Sequence, residues 1–314
     1  MSKTKFAFDV LFDSDLKDFC TDKELSPIDK KKVLGLSNDF ESGKWRSAKF
    51  YQFIWNNIAE TALTKAERDA LISDEDFDSL LIEAAKNLRF SSEEDNGRGG
   101  EIAEIFLYGL MKRFYKALPV VPKIYHKQNV QDNAKGADSV HIVLDDSNAG
   151  FSIWFGEAKF YSDITDTRLD NVVESVKNAL SDEKLKKENK IILGLNELKD
   201  YAEDKFETIV GYLHQDTSLD KLKPVLHIPI LLIYGCSITE NADEFTDEYK
   251  EQIIAHQQKK AETYFKKQIN KCKELFKYHE IHFHLILFPV PNKKKIVDTF
   301  FEQVSARRKE GEND

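Results

Sequence analysis

The sequence predicts a mixed α/β fold, a sheet flanked on both sides by helices, with a mainly helical region at the N-terminus. Three observations carry this expectation. Leu226 to Gly235 is apolar on both of its faces, as a central strand of a covered sheet must be. Strand-like and helix-like periodicities alternate through the second half of the chain. Between the two regions, the run from Ser91 to Gly100 breaks every pattern with polar residues and glycine. That break sets the expected boundary: a mainly helical accessory, partner-docking domain over 1–95 and a larger α/β domain over 96–314.

Residues 1 to about 90 read as mostly helical, with Phe6 to Phe12 as a candidate strand. Trp45, Phe50, Phe53, Ile54 and Ile58 recur at near-helical spacing and predict a helix over Trp45 to Ala59. Thr64 and Ser73 are candidate caps of shorter helices, the second leading into Phe77, Leu80, Leu81 and Ala84. After the break, a helix over about 101–116 stops before Pro119 and Pro122. Candidate strands follow at about 123–129, 138–144 and 151–160. Leu169, Val172, Val173, Val176 and Leu180 share one face of a helix over about 166–180. Ile191 to Leu195 is a candidate short strand within further helical sequence. Beyond the strand at 226–235, the pattern predicts a long helix at about 247–277, a strand at 281–288 and a terminal helix at about 293–308.

Composition narrows the function classes. The chain has 314 residues, 41% hydrophobic and 32% charged, which fits a soluble cytoplasmic protein and not a disordered one. The longest nearly unbroken apolar run, Ile228 to Cys236, is far shorter than the roughly 20 residues a bilayer crossing needs. The first residues lack the apolar stretch of a signal peptide. Cys20, Cys236 and Cys272 are odd in number and widely spaced, so they suggest neither a disulfide framework nor a zinc site. The net charge of −9 is unevenly spread. Lys259 to Lys309 holds 13 Lys and Arg against 5 Asp and Glu, a local +8, leaving −17 elsewhere. Such a chain can offer a basic face to phosphates while staying acidic overall.

The segment Phe151-Ser152-Ile153-Trp154-Phe155-Gly156-Glu157-Ala158-Lys159-Phe160 is the most informative. Strand alternation puts Phe151, Ile153, Phe155, Glu157 and Lys159 on one face, so an apolar face runs directly into a carboxylate and an ammonium. Burying those charges is costly without partners or a metal. The acid-x-lysine spacing also occurs at Asp15/Lys17, Asp29/Lys31, Asp182/Lys184, Glu188/Lys190, Glu197/Lys199, Glu203/Lys205 and Glu248/Lys250. Only Glu157/Lys159 is expected on an apolar strand.

Asp138 shares a strand face with Val140, Ile142 and Leu144, and the turn-rich residues 145–150 predict an antiparallel hairpin. If Leu144 pairs with Phe151, Asp138 lies opposite Glu157, with Cβ atoms about 5 Å apart. Two carboxylates so close repel unless one is protonated or a cation intervenes, and a hard divalent ion, Mg²⁺ or Mn²⁺, suits oxygen ligands. Glu101 or Glu104, which share a helix face, can add a third carboxylate, although acids in a first helical turn also simply favour the macrodipole. Among weaker candidates, His279, His282 and His284 lack supporting zinc ligands and read as a partly buried strand edge. Cys236 reads as a core cysteine. The chain has no P-loop and no GxGxxG, so neither ATP hydrolysis nor dinucleotide binding is expected.

The order glutamate-bearing helix, Asp138, Glu157-Ala158-Lys159, helix and apolar strand resembles the PD-(D/E)xK nuclease superfamily over about residues 99–236. Ala137 stands where that pattern often has proline. Gly99-Gly100-Glu101-Ile102-Ala103-Glu104, Gly136-Ala137-Asp138 and Trp154 to Phe160 are more closely similar to HamA, the effector family of the two-gene Hachiman anti-phage defence systems. The resemblance implies a restriction-endonuclease-like fold. It also implies Asp138, Glu157 and the Ala158 carbonyl as Mg²⁺ ligands, and Lys159 as the residue that orients the attacking water and stabilises charge at phosphorus. It further implies DNA as substrate and a restraining partner helicase, HamB. The alternatives are a stand-alone restriction or repair nuclease, and a silent binding module in which the three charges form only an ion cluster.

Overall fold

The computed structural model describes residues 6–73, 76–88, 99–118, 124, 137–144, 150–193, 205–214 and 216–311. Its elements in chain order are β1 (Asp9–Asp15), β2 (Lys31–Ser37), the short ribbon β3 (Phe40–Glu41) and β4 (Lys44–Trp45), α1 (Ser47–Ala62), α2 (Lys65–Ser73), α3 (Phe77–Lys86) and α4 (Gly100–Arg113). There follow β5 (Ser139–Leu144), β6 (Phe151–Tyr161), α5 (Asp166–Ala179), α6 (Asp182–Leu193), α7 (Phe206–Leu213), β7 (Leu226–Gly235), α8 (Asp247–Cys272), β8 (His282–Val290) and α9 (Lys293–Glu310). Single helical turns at Leu219–Leu222 and Ser237–Glu240 flank β7.

Six strands form one mixed sheet in the order β1-β2-β8-β7-β6-β5. The four inner strands pair in parallel, and antiparallel strands close both edges. β7 is central, as its two apolar faces require. Its Ile228, Ile230 and Leu232 pack into one core with Val172, Val176, Ile253 and Phe265 of α5 and α8. Leu231 and Ile233 pack into the other with Phe50, Phe106, Ile296 and Phe300 of α1, α4 and α9. This is the flanked mixed sheet the sequence predicts, and it is consistent with a restriction-endonuclease-like α/β fold.

The N-terminal reading needs correction. Residues 9–15 and 31–37 are strands, and β2 pairs with β8 inside the sheet, so the sheet draws strands from both sides of residue 95. Only α1 to α3 answer to the helical description. Lys31 also opens an apolar strand, contrary to the expectation for the Asp29/Lys31 pair. Its ammonium is fully buried, donates to the Asp29 carbonyl at 3.1 Å and lies 4.6 Å from the Tyr278 ring centre. Ile191–Leu193 ends a helix and is not a strand. Of the expected strand at 123–129 only Ile124 is described, and it is buried and helical; the hairpin turn at 145–149 lies outside the described residues. No helix among the described residues is long and apolar enough to cross a membrane.

Candidate active site

The site forms where the end of β6 meets the start of β5. Leu144 pairs with Phe151 and Ser139 with Gly156, the register the hairpin predicts. The Asp138 N–H donates to the Gly156 carbonyl at 2.8 Å, so the paired register ends at Ser139 and Asp138 is held beside Gly156, next to Glu157. Gly156 permits this close approach, because a Cβ there would lie 2.1 Å from the Ser139 hydroxyl. Asp138 Oδ2 accepts from the Ala158 N–H at 3.0 Å and from Lys159 Nζ at 3.4 Å. Lys159 Nζ also contacts Glu157 Oε1 at 2.5 Å, so one ammonium bridges both carboxylates.

Electrostatics follow from this arrangement. Burial pushes the Glu157 carboxyl above its ordinary pKa and Asp138 pushes it further, while Lys159 and the Ser175 hydroxyl pull against them. Burial alone would lower the Lys159 ammonium, but Asp138 and Glu157 outweigh it and hold the lysine above its ordinary value. Lys159 therefore stays charged near neutrality.

A cleft of about 630 Å³ opens beside them, lined by Asp138, Ala158 and Lys159 with Glu104 of α4 and Arg168 and Asn171 of α5, while Glu157 is buried and does not line it. Glu104 faces the cleft and Glu101 is not among its lining residues. Gly99 caps α4 at a φ of +96°, a conformation that favours glycine, and a Cβ there would meet Val297 and Phe160 at 3.0 and 3.1 Å. This glycine lets the start of α4 settle against β6 beside the carboxylates.

The donor set is hard oxygen: two carboxylates whose repulsion is expressed in Glu157, and the carbonyl of Ala158, the residue after Glu157. Its chemistry fits a hard divalent cation. No three His, Cys, Asp or Glu side chains among the described residues are gathered to hold a metal ion.

Several residues here escape the sequence pattern. Buried Glu188 of α6 accepts the Ala137 N–H at 2.8 Å and so anchors the approach to Asp138. In the sequence it is one of many acid-x-lysine pairs. Arg168, Asn171 and Ser175 serve the site from α5, and their i, i+3, i+7 spacing is a signal that could have found them. Elsewhere, His282 and His284 lie on an interior strand, not at an edge, and His227 of β7 joins them. Cys236 is buried, as expected.

The HamA family model matches this chain over residues 13–304. No curated protein matches it.

Proposed function

The chain belongs to the HamA family, a component of Hachiman anti-phage defence, and on that premise we propose that it is a divalent-metal-dependent DNA nuclease restrained by a partner helicase. The meeting of Asp138, Glu157 and Lys159 carries this reading: one ammonium bridges both carboxylates, and Asp138 and Lys159 open onto a cleft with Glu157 buried behind them. Asp138, Glu157 and the Ala158 carbonyl would hold Mg²⁺ or Mn²⁺, and Glu104 lines the same cleft. When bound, the ion supplies Lewis acidity at a phosphoryl oxygen and makes hydroxide available near neutral pH.

The protein's own groups position and stabilise. The Ala158 N–H and the Ser175 hydroxyl fix the two carboxylates. Lys159, held protonated by those carboxylates, donates to the attacking water and places positive charge where the phosphorane-like transition state gathers negative charge. It acts as a donor and not as a general base. Arg168 is steadied by Asp163 at 3.0 Å and lies over the Tyr161 ring, at the rim where a phosphate would enter. The basic C-terminal segment would hold the DNA backbone without reading bases. In this reading the helicase senses aberrant DNA ends during infection and releases the nuclease.

Mg²⁺-dependent cleavage of plasmid and linear DNA tests the assignment. Glu157→Gln and Lys159→Ala should each lose cleavage by about a thousandfold while keeping a cooperative melt. Wild-type cleavage by both variants overturns it. The rival reading, a silent ion cluster, draws on the Lys159 bridges to both carboxylates. Thermal stabilisation by Mn²⁺ that Glu157→Gln abolishes would exclude the silent cluster.

A further inference from the structure

A second crevice, of about 570 Å³, opens at the C-terminal ends of β6, β7 and β8. Its walls are the segments that leave those strands, and Thr165, the residue that precedes α5, lines both this crevice and the first cleft. In open α/β sheets this edge is where ligands are taken.

The lining is cationic. Lys260 and His256 come from α8, four residues apart and thus on one helix face, and Lys293 and Lys294 from the first turn of α9. Two acids, Asp163 and Glu240, share the wall. Asp163 is engaged by Arg168 at 3.0 Å, and Glu240 accepts from Asn292 at 3.4 Å. Lys294 reaches Asp298 at 2.6 Å, whereas no ion pair holds Lys260 among the described residues. Burial lowers the His256 pKa, and Lys260 and Lys259 lower it further, so the imidazole experiences a positive environment.

Two features tie the crevice to the first cleft. Lys293 is buried with its Nζ 5.9 Å from the Phe160 ring centre, and Phe160 lines the first cleft. The first turn of α9 carries three successive lysines and no acid, against the helix macrodipole. An anion seated beside that turn relieves the conflict.

We propose that this crevice holds a backbone phosphate of the same polynucleotide strand that enters the Asp138–Glu157–Lys159 cleft. The inference rests on the nuclease reading for its choice of ligand. The crevice then acts as a phosphate anchor that sets how the strand lies across the cutting site, while the metal-binding carboxylates take no part in it.

Binding without cleavage separates this inference from the nuclease reading. The full chain is titrated with a fluorescent 20-base-pair DNA duplex in EDTA across a salt series, and with inorganic phosphate alone. The double variant Lys260→Glu, Lys294→Glu should bind the duplex at least about tenfold more weakly. Its plot of log Kd against log salt should be shallower by about one unit, the change expected for loss of one phosphate contact. In the wild type, duplex binding should raise the His256 titration midpoint seen by NMR, and millimolar inorganic phosphate should not. An unchanged salt slope with an unmoved His256 overturns the proposal. So does a midpoint raised equally by inorganic phosphate, which makes the crevice a small-anion site. Loss of cleavage in Glu157→Gln with duplex affinity intact supports both readings. Absent cleavage by the wild type with the salt slope still dependent on Lys260 and Lys294 leaves the anchor standing and removes only the nuclease.

Discussion

Trp154 and Glu157 stand three residues apart on β6 and face opposite sides of the sheet, and the two buried polar clusters they belong to have solved the same problem differently. Around Glu157, charge is kept: Lys159 bridges Asp138 and Glu157, and each sign is stabilised by the other. Around Trp154, charge is given up. His227 and His282 stack with ring centres 4.3 Å apart, and His227 Nδ1 lies 2.9 Å from His284 Nε2. Trp154 covers His227 and His284, with ring centres 4.5 and 4.4 Å away. Burial pushes His227 down to about 3 and His282 to about 4, with Lys30 and Lys32 adding to both shifts, and holds His284 well below its usual range. Burial thus favours the neutral form of all three imidazoles, and a hydrogen bond joins His227 to His284. The lesson is that burial decides against a charge unless an opposite charge is seated beside it.

The sharpest way to break this comparison is to take away the opposite charge. Lys159→Met leaves two facing carboxylates and should cost about 3 kcal/mol, less than a fully buried pair because the lysine side chain is 30% exposed. The sign with pH is distinctive. Glu157 already has a raised pKa, so the folded state binds its proton more readily than the unfolded state, and stability falls as pH rises past the ordinary glutamate range. Removing Lys159 enlarges that effect. Urea denaturation should therefore find the variant's deficit largest at pH 7.5 and shrinking towards pH 5, with Mn²⁺ restoring part of it at neutral pH. A deficit independent of pH would mean that Lys159 contributes packing and not charge.

The histidine cluster should respond in the opposite direction. His227 has a folded pKa of about 3, below its unfolded value of about 6.5, so the unfolded chain binds the extra proton and stability falls as pH drops through that window. The slope for this residue is about 1.4 kcal/mol per pH unit. His227→Phe, whatever its stability at pH 7, should lose about 2 kcal/mol less than the wild type between pH 6.5 and 4.5 by chemical denaturation. Parallel stability curves for the two proteins would place the acid sensitivity elsewhere. Acid thus relieves one cluster and strains the other, on two faces of the same sheet.

What can be read in the sequence divides along the same line. The nearness of Asp138 to Glu157 is legible because a short hairpin leaves one register that keeps Val140 and Ile142 facing inward beside Ile153 and Phe155. The two carboxylates at the end of that apolar face then share the Lys159 ammonium. β2 is not legible, because it begins on Lys31, a charge that no local pattern predicts to be buried. The histidine cluster is half legible: His282 and His284 share a strand face by alternation, but His227 reaches them only through the β7–β8 pairing. Periodicity reports faces within one element. It does not report which distant element will cover them.

Glu188 carries that limit into the site itself, and the smallest expected effect tests it. Its buried carboxylate accepts the Ala137 N–H, one residue before Asp138, across a sequence gap that no spacing rule spans. Glu188→Gln keeps the size and an acceptor oxygen but replaces a charge-assisted bond with a neutral one, so the loss in stability should be about 1 kcal/mol. If α6 holds Asp138 in place through this bond, Mn²⁺ affinity measured by calorimetry should fall by about tenfold, as when an outer partner of a metal ligand is removed. A variant that melts lower yet binds Mn²⁺ as the wild type does would confine Glu188 to the fold. The hold on the Asp138 carboxylate that the metal senses would then come from groups such as the Ala158 N–H and Lys159 on β6, and not through α6.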